Sequence, residues 1–232
     1  MGPAMSASLP PINAGQLGHA YLSQFLGPDT KVILEIGAND GGHTVQFVNL
    51  FPNAMIFAFE PDPRAAAKFK AHGNHPRVRL FEMAIGATDG QADFYVSSGL
   101  PEGAPLEIKS QYPQGWDQSG SLRAPKSHMT VFPWVKFDST IRVPVRRLDS
   151  WTGEQGITKV DLIWADMQGA EADLVTGGCE TLAHTRYLYT EYSDEEWYEG
   201  QPTLAQLVDM LPNFSILRRY RWDVLFENKT MK

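Results

Sequence analysis

The chain has 232 residues, 43% hydrophobic and 20% charged, with a formal net charge of −7 and an isoelectric point near 5.3. That composition belongs to a globular protein large enough to bury a full core, and its acidity argues against a duplex nucleic-acid binder, which carries a basic face. The single cysteine, Cys179, leaves no intramolecular disulfide, no apolar run reaches the ~18 residues of a membrane span, and no basic-then-apolar leader opens the chain. A cytoplasmic enzyme with no nucleic-acid partner and no membrane insertion is expected.

Residues 1–13 are small, polar and proline-containing and read as a flexible start to a single domain over 14–232. Leu17, Tyr21, Leu22 and Phe25 share a helical face, predicting a helix over 14–26. Residues 31–36 form a buried strand, 37–42 a glycine turn and 43–50 a helix. A second buried strand spans 54–59. Asp62 can cap the next helix, with Pro63 in its first turn. A third strand is predicted at 78–84, so the chain alternates strand and helix, the order of a parallel α/β sheet.

A short strand at 92–96 follows. From 99 to 140 the pattern dissolves into Gly, Pro, Ser and aromatics, too long a stretch for an idle loop. An edge strand is predicted at 141–146, a helix from 148, a buried strand at 159–165, and helices at 171–177 and 180–184. The chain closes with a strand at 187–192, a helix at 203–210 and strands at 214–219 and 223–226.

The first strand ends at Glu35 and runs into Gly37, Asn39 and Gly41. The second ends at Glu60, 23 positions after Gly37, where an acid can accept the hydroxyls of an adenosine ribose. A nicotinamide dinucleotide requires G-x-G-x-x-G, because its pyrophosphate rests on the helix N-terminus. Asn39 stands where the second glycine belongs. S-adenosylmethionine carries a sulfonium and an ammonium and no phosphate, so the acids Glu35 and Glu60 suit it better. An NAD-dependent oxidoreductase and a non-catalytic cofactor-binding protein remain the competing readings, since fold alone does not decide function.

In these residues the chain resembles the FkbM-type methyltransferases. The resemblance runs through residues 35–41, 59–63, 84–86, 147–149, 160–163 and 166–171, and then Thr190 and Glu191. It implies a Rossmann-like class I methyltransferase fold, a seven-stranded, mostly parallel sheet flanked by helices with the last strand antiparallel. It also implies O-methylation of a sugar or natural-product hydroxyl, with S-adenosylhomocysteine as by-product, and places Pro61 and Ala84 in the cofactor motifs. Ser121-Leu122 matches a Ser-Leu pair of the family and sets Ser121 near the cofactor. Met167 and Gln168 depart from the commoner Val and Glu. The change at Gln168 removes a charge and weakens the case for a divalent metal.

A sugar hydroxyl is a poor acid, so a general base is expected. Asp166 and Glu191 end adjacent strands on the carboxyl edge, where ligands bind in open α/β sheets. They are the candidate bases, and Asp166 is also a candidate cofactor contact. Glu171 is a third acid, read either as catalytic or as a helix N-terminal acid. Glu191 has the competing reading of an ion pair with Arg186 or Arg221. The 99–140 insert reads as a lid whose aromatics stack on sugar or adenine; Trp134 is its substrate candidate and His128 its candidate base. A satellite core or a homo-oligomer contact is the alternative. Tyr192 and Trp197 are expected at the acceptor pocket. His72 and His75 are discounted as a metal pair, and Cys179 reads as a small buried hydrophobe.

Overall fold

A computed structural model describes residues 9–231, so part of the predicted flexible start lies outside the described residues. The elements run α1 (His19–Leu22), β1 (Val32–Ile36), α2 (Gly42–Leu50), β2 (Met55–Phe59), α3 (Pro63–His72), β3 (Val78–Phe81), β4 (Ala84–Ile85), β5 (Gly90–Ser98), α4 (Leu106–Gln111), α5 (His128–Val131), β6 (Lys136–Arg146), α6 (Leu148–Gln155), β7 (Val160–Ala165), α7 (Glu171–Gly177), α8 (Cys179–Ala183), β8 (Thr185–Glu191), α9 (Leu204–Met210), β9 (Phe214–Arg219) and β10 (Asp223–Asn228). Among the described residues no helix is long and apolar enough to cross a membrane.

Seven strands form one sheet in the order β3-β2-β1-β7-β8-β10-β9. β1 pairs in parallel with β2 and β7, and β7 with β8. β10, the last strand in the chain, is antiparallel to both of its neighbours. This is the class I methyltransferase arrangement. Every residue of β7 is buried, as expected of a central parallel strand covered by helices on both faces. Strand alternation divides the core in two. Leu34, Ile36, Phe57 and Phe59 face Trp151 of α6, Leu174 of α7 and Leu204 of α9. Ile33, Ile56 and Leu162 face Phe47 of α2 and Leu22 of α1. Trp151 meets Phe57, Phe59 and Phe81 edge-on, with centroids 4.8–5.4 Å apart, and removing such a side chain costs about 3–5 kcal/mol.

Local signals explain several boundaries. The Asp62 side chain accepts from the Arg64 amide at 2.9 Å and Pro63 opens α3. Thr203 and Gln206 close a reciprocal capping box on α9, worth about 1 kcal/mol.

Four expectations need correction. The first helix is one turn long, although Leu17, Leu22 and Leu26 are buried as its face predicts. The third strand breaks after Phe81, and Ala84 and Ile85 leave the main sheet to pair with Val145 and Arg146. The segment read as an edge strand begins at Lys136 and is the middle strand of a second sheet, β4-β6-β5, packed around Phe94, Val143 and Val145. Cys179 is exposed rather than buried, because it opens α8 at the surface.

Candidate active site

The carboxyl ends of β2, β1, β7 and β8 open into one cavity of about 500 Å³, within the range of small-ligand sites. It reaches from Glu60, after β2, to Trp222 between β9 and β10. Across four strand spacings that is about 19 Å. Residues 116–120 and His128, the first residue of α5, also line it.

The turn after β1 sets its floor. Gly37, Asn39 and Gly41 have φ of 84°, 45° and 85°. A Cβ on Gly37 would lie 1.9 Å from the carbonyl oxygen of Asp166, so only glycine allows the ends of β1 and β7 to meet here. The turn feeds the Asn39 amide to Glu60 Oε2 at 2.8 Å, and the Asp62 amide reaches Glu60 Oε1 at 2.7 Å. Each oxygen keeps accepting capacity toward the cavity. Burial pushes the Glu60 carboxyl up to about 8. Asn39 Nδ2 donates to the lid carbonyl of Asp117 at 3.0 Å. Asn39 Oδ1 and Asp117 Oδ1 are buried without a partner, while Asp117 Oδ2 accepts from Lys68 at 2.6 Å. A buried acceptor left unpaired is costly and calls for a donor.

Asp166 and Glu191 meet under the middle of the cavity. Burial raises the Asp166 carboxyl to about 6, against the lowering effect of bonds from Gln168 and Glu191. Burial, then the charge of Asp166, pushes Glu191 well above the usual carboxylate range. Two such groups share one proton, with Glu191 the protonated partner. Gln168 Nε2 donates to Asp166 Oδ1 at 2.6 Å and lies 3.3 Å from Glu191 Oε2. The Tyr198 hydroxyl is 3.0 Å from Gln168 Oε1 and 2.9 Å from the Ser119 carbonyl, either of which can take its one proton. Gln168 holds φ at 50°, an uncommon conformation for a residue with a side chain. Neither arginine weighed for Glu191 pairs with it: Arg186 lies over Tyr187 and Arg221 over Trp222.

His128 lines the cavity, its ring packed by Phe132, Tyr198, Phe137 and Trp197 at centroid distances of 5.1–6.2 Å. Burial lowers it to about 4, so it is neutral at pH 7. A histidine pair that sequence reasoning missed stands at the mouth. His19 Nε2 and His43 Nδ1 are 2.6 Å apart, and the His19 ring stacks on Trp164 at 4.9 Å.

Of the predicted residues, Gly37, Asn39, Glu60, Pro61, Ala84, Asp166, Glu191, His128 and Trp197 line this one cavity. Five others do not. Glu35 points with Ile33 toward α2, wholly buried, accepts from the Thr44 hydroxyl and leaves Oε1 unpaired. Burial raises it to about 8, so at neutral pH it offers no charge to a cation. Gly41 packs on Phe69 at the start of α2. Ser121 is buried behind the wall, its hydroxyl donating to the Gln168 carbonyl at 2.6 Å and accepting from the Arg123 amide at 2.9 Å. Trp134 stands edge-on behind the wall residue Trp116, at 5.0 Å. Tyr192 belongs to the sheet core and donates its hydroxyl proton to the Tyr220 carbonyl at 2.7 Å. Glu171 begins α7 and accepts from the Gly169 amide at 3.2 Å, outside the cavity wall.

The family model for the methyltransferase FkbM domain matches residues 35–221. The chain is 46% identical over 215 residues to the 2-O-methyltransferase NoeI of Sinorhizobium fredii, covering 90% of this chain and 84% of that protein. It is 26% identical over 217 residues to a stretch making up 10% of the AMB antimetabolite synthetase AmbE of Pseudomonas aeruginosa. A solved precorrin-6y C5,15-methyltransferase of Geobacter metallireducens aligns over 96% of this chain and 93% of its own, at 12% identity and a TM-score of 0.47.

Proposed function

The chain belongs to the FkbM methyltransferase family, and from that premise we propose that it is an S-adenosylmethionine-dependent O-methyltransferase whose acceptor is a sugar hydroxyl. The observation that carries the reading is the kind of ionisable group in the cavity: five carboxyl groups line it, and among the described residues no lysine or arginine does. Such a wall suits a ligand with a sulfonium and an ammonium and opposes a pyrophosphate, which disfavours the dinucleotide alternative. Glu60, Asn39 and the lid residue Asp117 would hold the nucleoside, using the oxygens of Glu60 and the two unpaired oxygens. When bound, the cofactor supplies an activated methyl group, so the protein's task is alignment and proton removal. Asp166, ionised above about pH 6 beside a protonated Glu191, is placed to take the acceptor's proton. Gln168 fixes the orientation of both carboxyls. His128, neutral and facing the same cavity, is the second candidate base. The choice of oxygen as acceptor atom draws on the relative named a 2-O-methyltransferase. No divalent ion enters the reading, and a cytoplasmic site suits a chain with one free cysteine.

Calorimetric titration with S-adenosylmethionine, S-adenosylhomocysteine and NADH tests the proposal. Binding of the first two and not the third is the expected result. Binding of NADH alone overturns it. Tight binding of S-adenosylmethionine with no turnover on any hydroxyl acceptor favours a non-catalytic protein.

A further inference from the structure

The cavity is longer than its cofactor half. Glu60 and Asn39 sit at the β2 and β1 end, whereas Trp222 lies four strands away. The rest of the wall includes His128, Phe132, Trp197, Trp222, Gln46 and the His19–His43 pair. None of these carries a fixed positive charge. The two mouth histidines are hydrogen-bonded to each other, which requires at least one unprotonated ring nitrogen between them. Burial lowers both, and His43 lowers His19 further.

The nearby cations are committed elsewhere. Lys68 pairs with Asp117 and Arg64 with Asp62. Arg123 pairs with Asp173, and Arg219 donates to Tyr192. Arg221 stacks over Trp222, 4.7 Å from the ring centroid, and does not line the cavity. A phosphate or carboxylate at this end would face the Asp166–Glu191 pair, which shares one proton and holds one negative charge, with no lysine or arginine among the described wall residues, an arrangement that rejects a like-charged ligand. What the wall does offer is aromatic surface and neutral hydrogen-bonding groups, the chemistry that recognises uncharged sugar. Trp222 is 38% exposed and meets Trp197 at 6.1 Å, so the aromatic surface continues outward past the mouth.

We propose that the acceptor is an uncharged glycoside whose chain leaves the cavity over Trp222, and that sugar nucleotides and sugar phosphates are excluded. The inference rests on the methyltransferase reading above. It fixes a place in a reaction sequence: a glycosyl transfer, which discards the nucleoside diphosphate, must precede methylation.

Two measurements on the full chain test it. In the first, protein saturated with S-adenosylhomocysteine, to occupy the nucleoside end, is titrated with UDP and with GDP. No saturable binding is expected up to about 1 mM, and saturable binding of either nucleotide overturns the proposal. In the second, methyl glycosides of common hexoses and 6-deoxyhexoses are offered with S-adenosylmethionine beside the same sugars as 1-phosphates and as nucleoside diphosphates. Any sugar that is methylated should show kcat/KM at least about 100-fold higher as the glycoside. Equal or better use of the anionic form, lost in Arg221→Ala, would identify that guanidinium as the missing cation and sink the idea. If no sugar in the set is methylated, the nucleotide titration decides alone. Failure of S-adenosylhomocysteine to bind the wild-type protein would instead count against the methyltransferase reading itself.

Discussion

The two ends of the cavity are built in different ways. The end proposed for the cofactor is local: Gly37, Asn39 and Glu60 come from two consecutive strand ends and are joined by backbone amides. The part proposed for the acceptor draws on His19, His128, Trp197 and Trp222, which no short segment contains. A nucleoside is the same ligand for every enzyme that uses it, so a compact backbone cradle serves. An acceptor varies, and side chains from several loops can be exchanged without disturbing the strands beneath.

If the two ends are separable, substitutions should divide their effects cleanly. Asp166→Asn should lower kcat by roughly 100- to 10,000-fold while S-adenosylhomocysteine affinity moves little. The activity of the wild-type enzyme should rise with pH through about 6 as Asp166 gives up its proton, and a full rate in the Asn variant would rule the pair out as base. Glu60→Ala should weaken S-adenosylhomocysteine by about 10- to 100-fold, the loss of hydrogen bonds to a buried carboxyl group, with acceptor KM unchanged. Unaltered affinity by calorimetry would remove Glu60 from the cofactor site.

Next in size is a pH effect on stability. Glu35 stays protonated in the fold up to about pH 8, whereas the unfolded carboxyl ionises at about 4.3. Its folded pKa is raised, so its contribution is complete below about pH 4 and is lost as pH rises toward 8. Unfolding free energy without cofactor should fall over that window by a few kcal/mol, at about 1.4 kcal/mol per pH unit of disparity. Glu35→Gln should flatten the slope in denaturant titrations at pH 5.5 and 8.5, and an identical slope would refute the assignment. Ser121→Ala breaks the clip between lid and Gln168 and should cost about 1–3 kcal/mol, seen as a lower melting temperature and a raised acceptor KM. The smallest expected effect is that of EDTA, which should leave the rate unchanged; inactivation rescued by magnesium would place a metal at the carboxylates.

The same contrast governs what the sequence could reveal. Strand β1, its glycine turn and the acid after β2 are contiguous patterns, and all fall in the cavity or under it. Strand parity tells only that Glu35 shares a face with Ile33, not which face the ligand occupies. The same holds for Tyr192, one residue past a strand end. The two-residue β4 is too short to show a period, so its departure into a second sheet was hidden. Ser121 was singled out, but its hydroxyl is spent on Gln168, a contact 47 residues away in the chain. His19 and His43 carry no signal at all until α1 and α2 pack together, and Gln168, noticed only as a lost charge, proves to be the donor that orients the acid pair.

The contact at Gly37 has an evolutionary side. A single added methyl group would strike the Asp166 carbonyl, so the residue acts as a spacer that sets how far the turn bonded to Glu60 stands from the acid pair. No second-site change to a flexible side chain can relieve that collision, because the obstacle is main chain. In a saturation library selected for activity, position 37 should therefore tolerate nothing else, not even alanine. Asn39, although it holds a left-handed conformation, should accept glycine at a partial loss. Drift in this lineage can thus rebuild the acceptor walls freely, while the gap between its two working parts stays pinned.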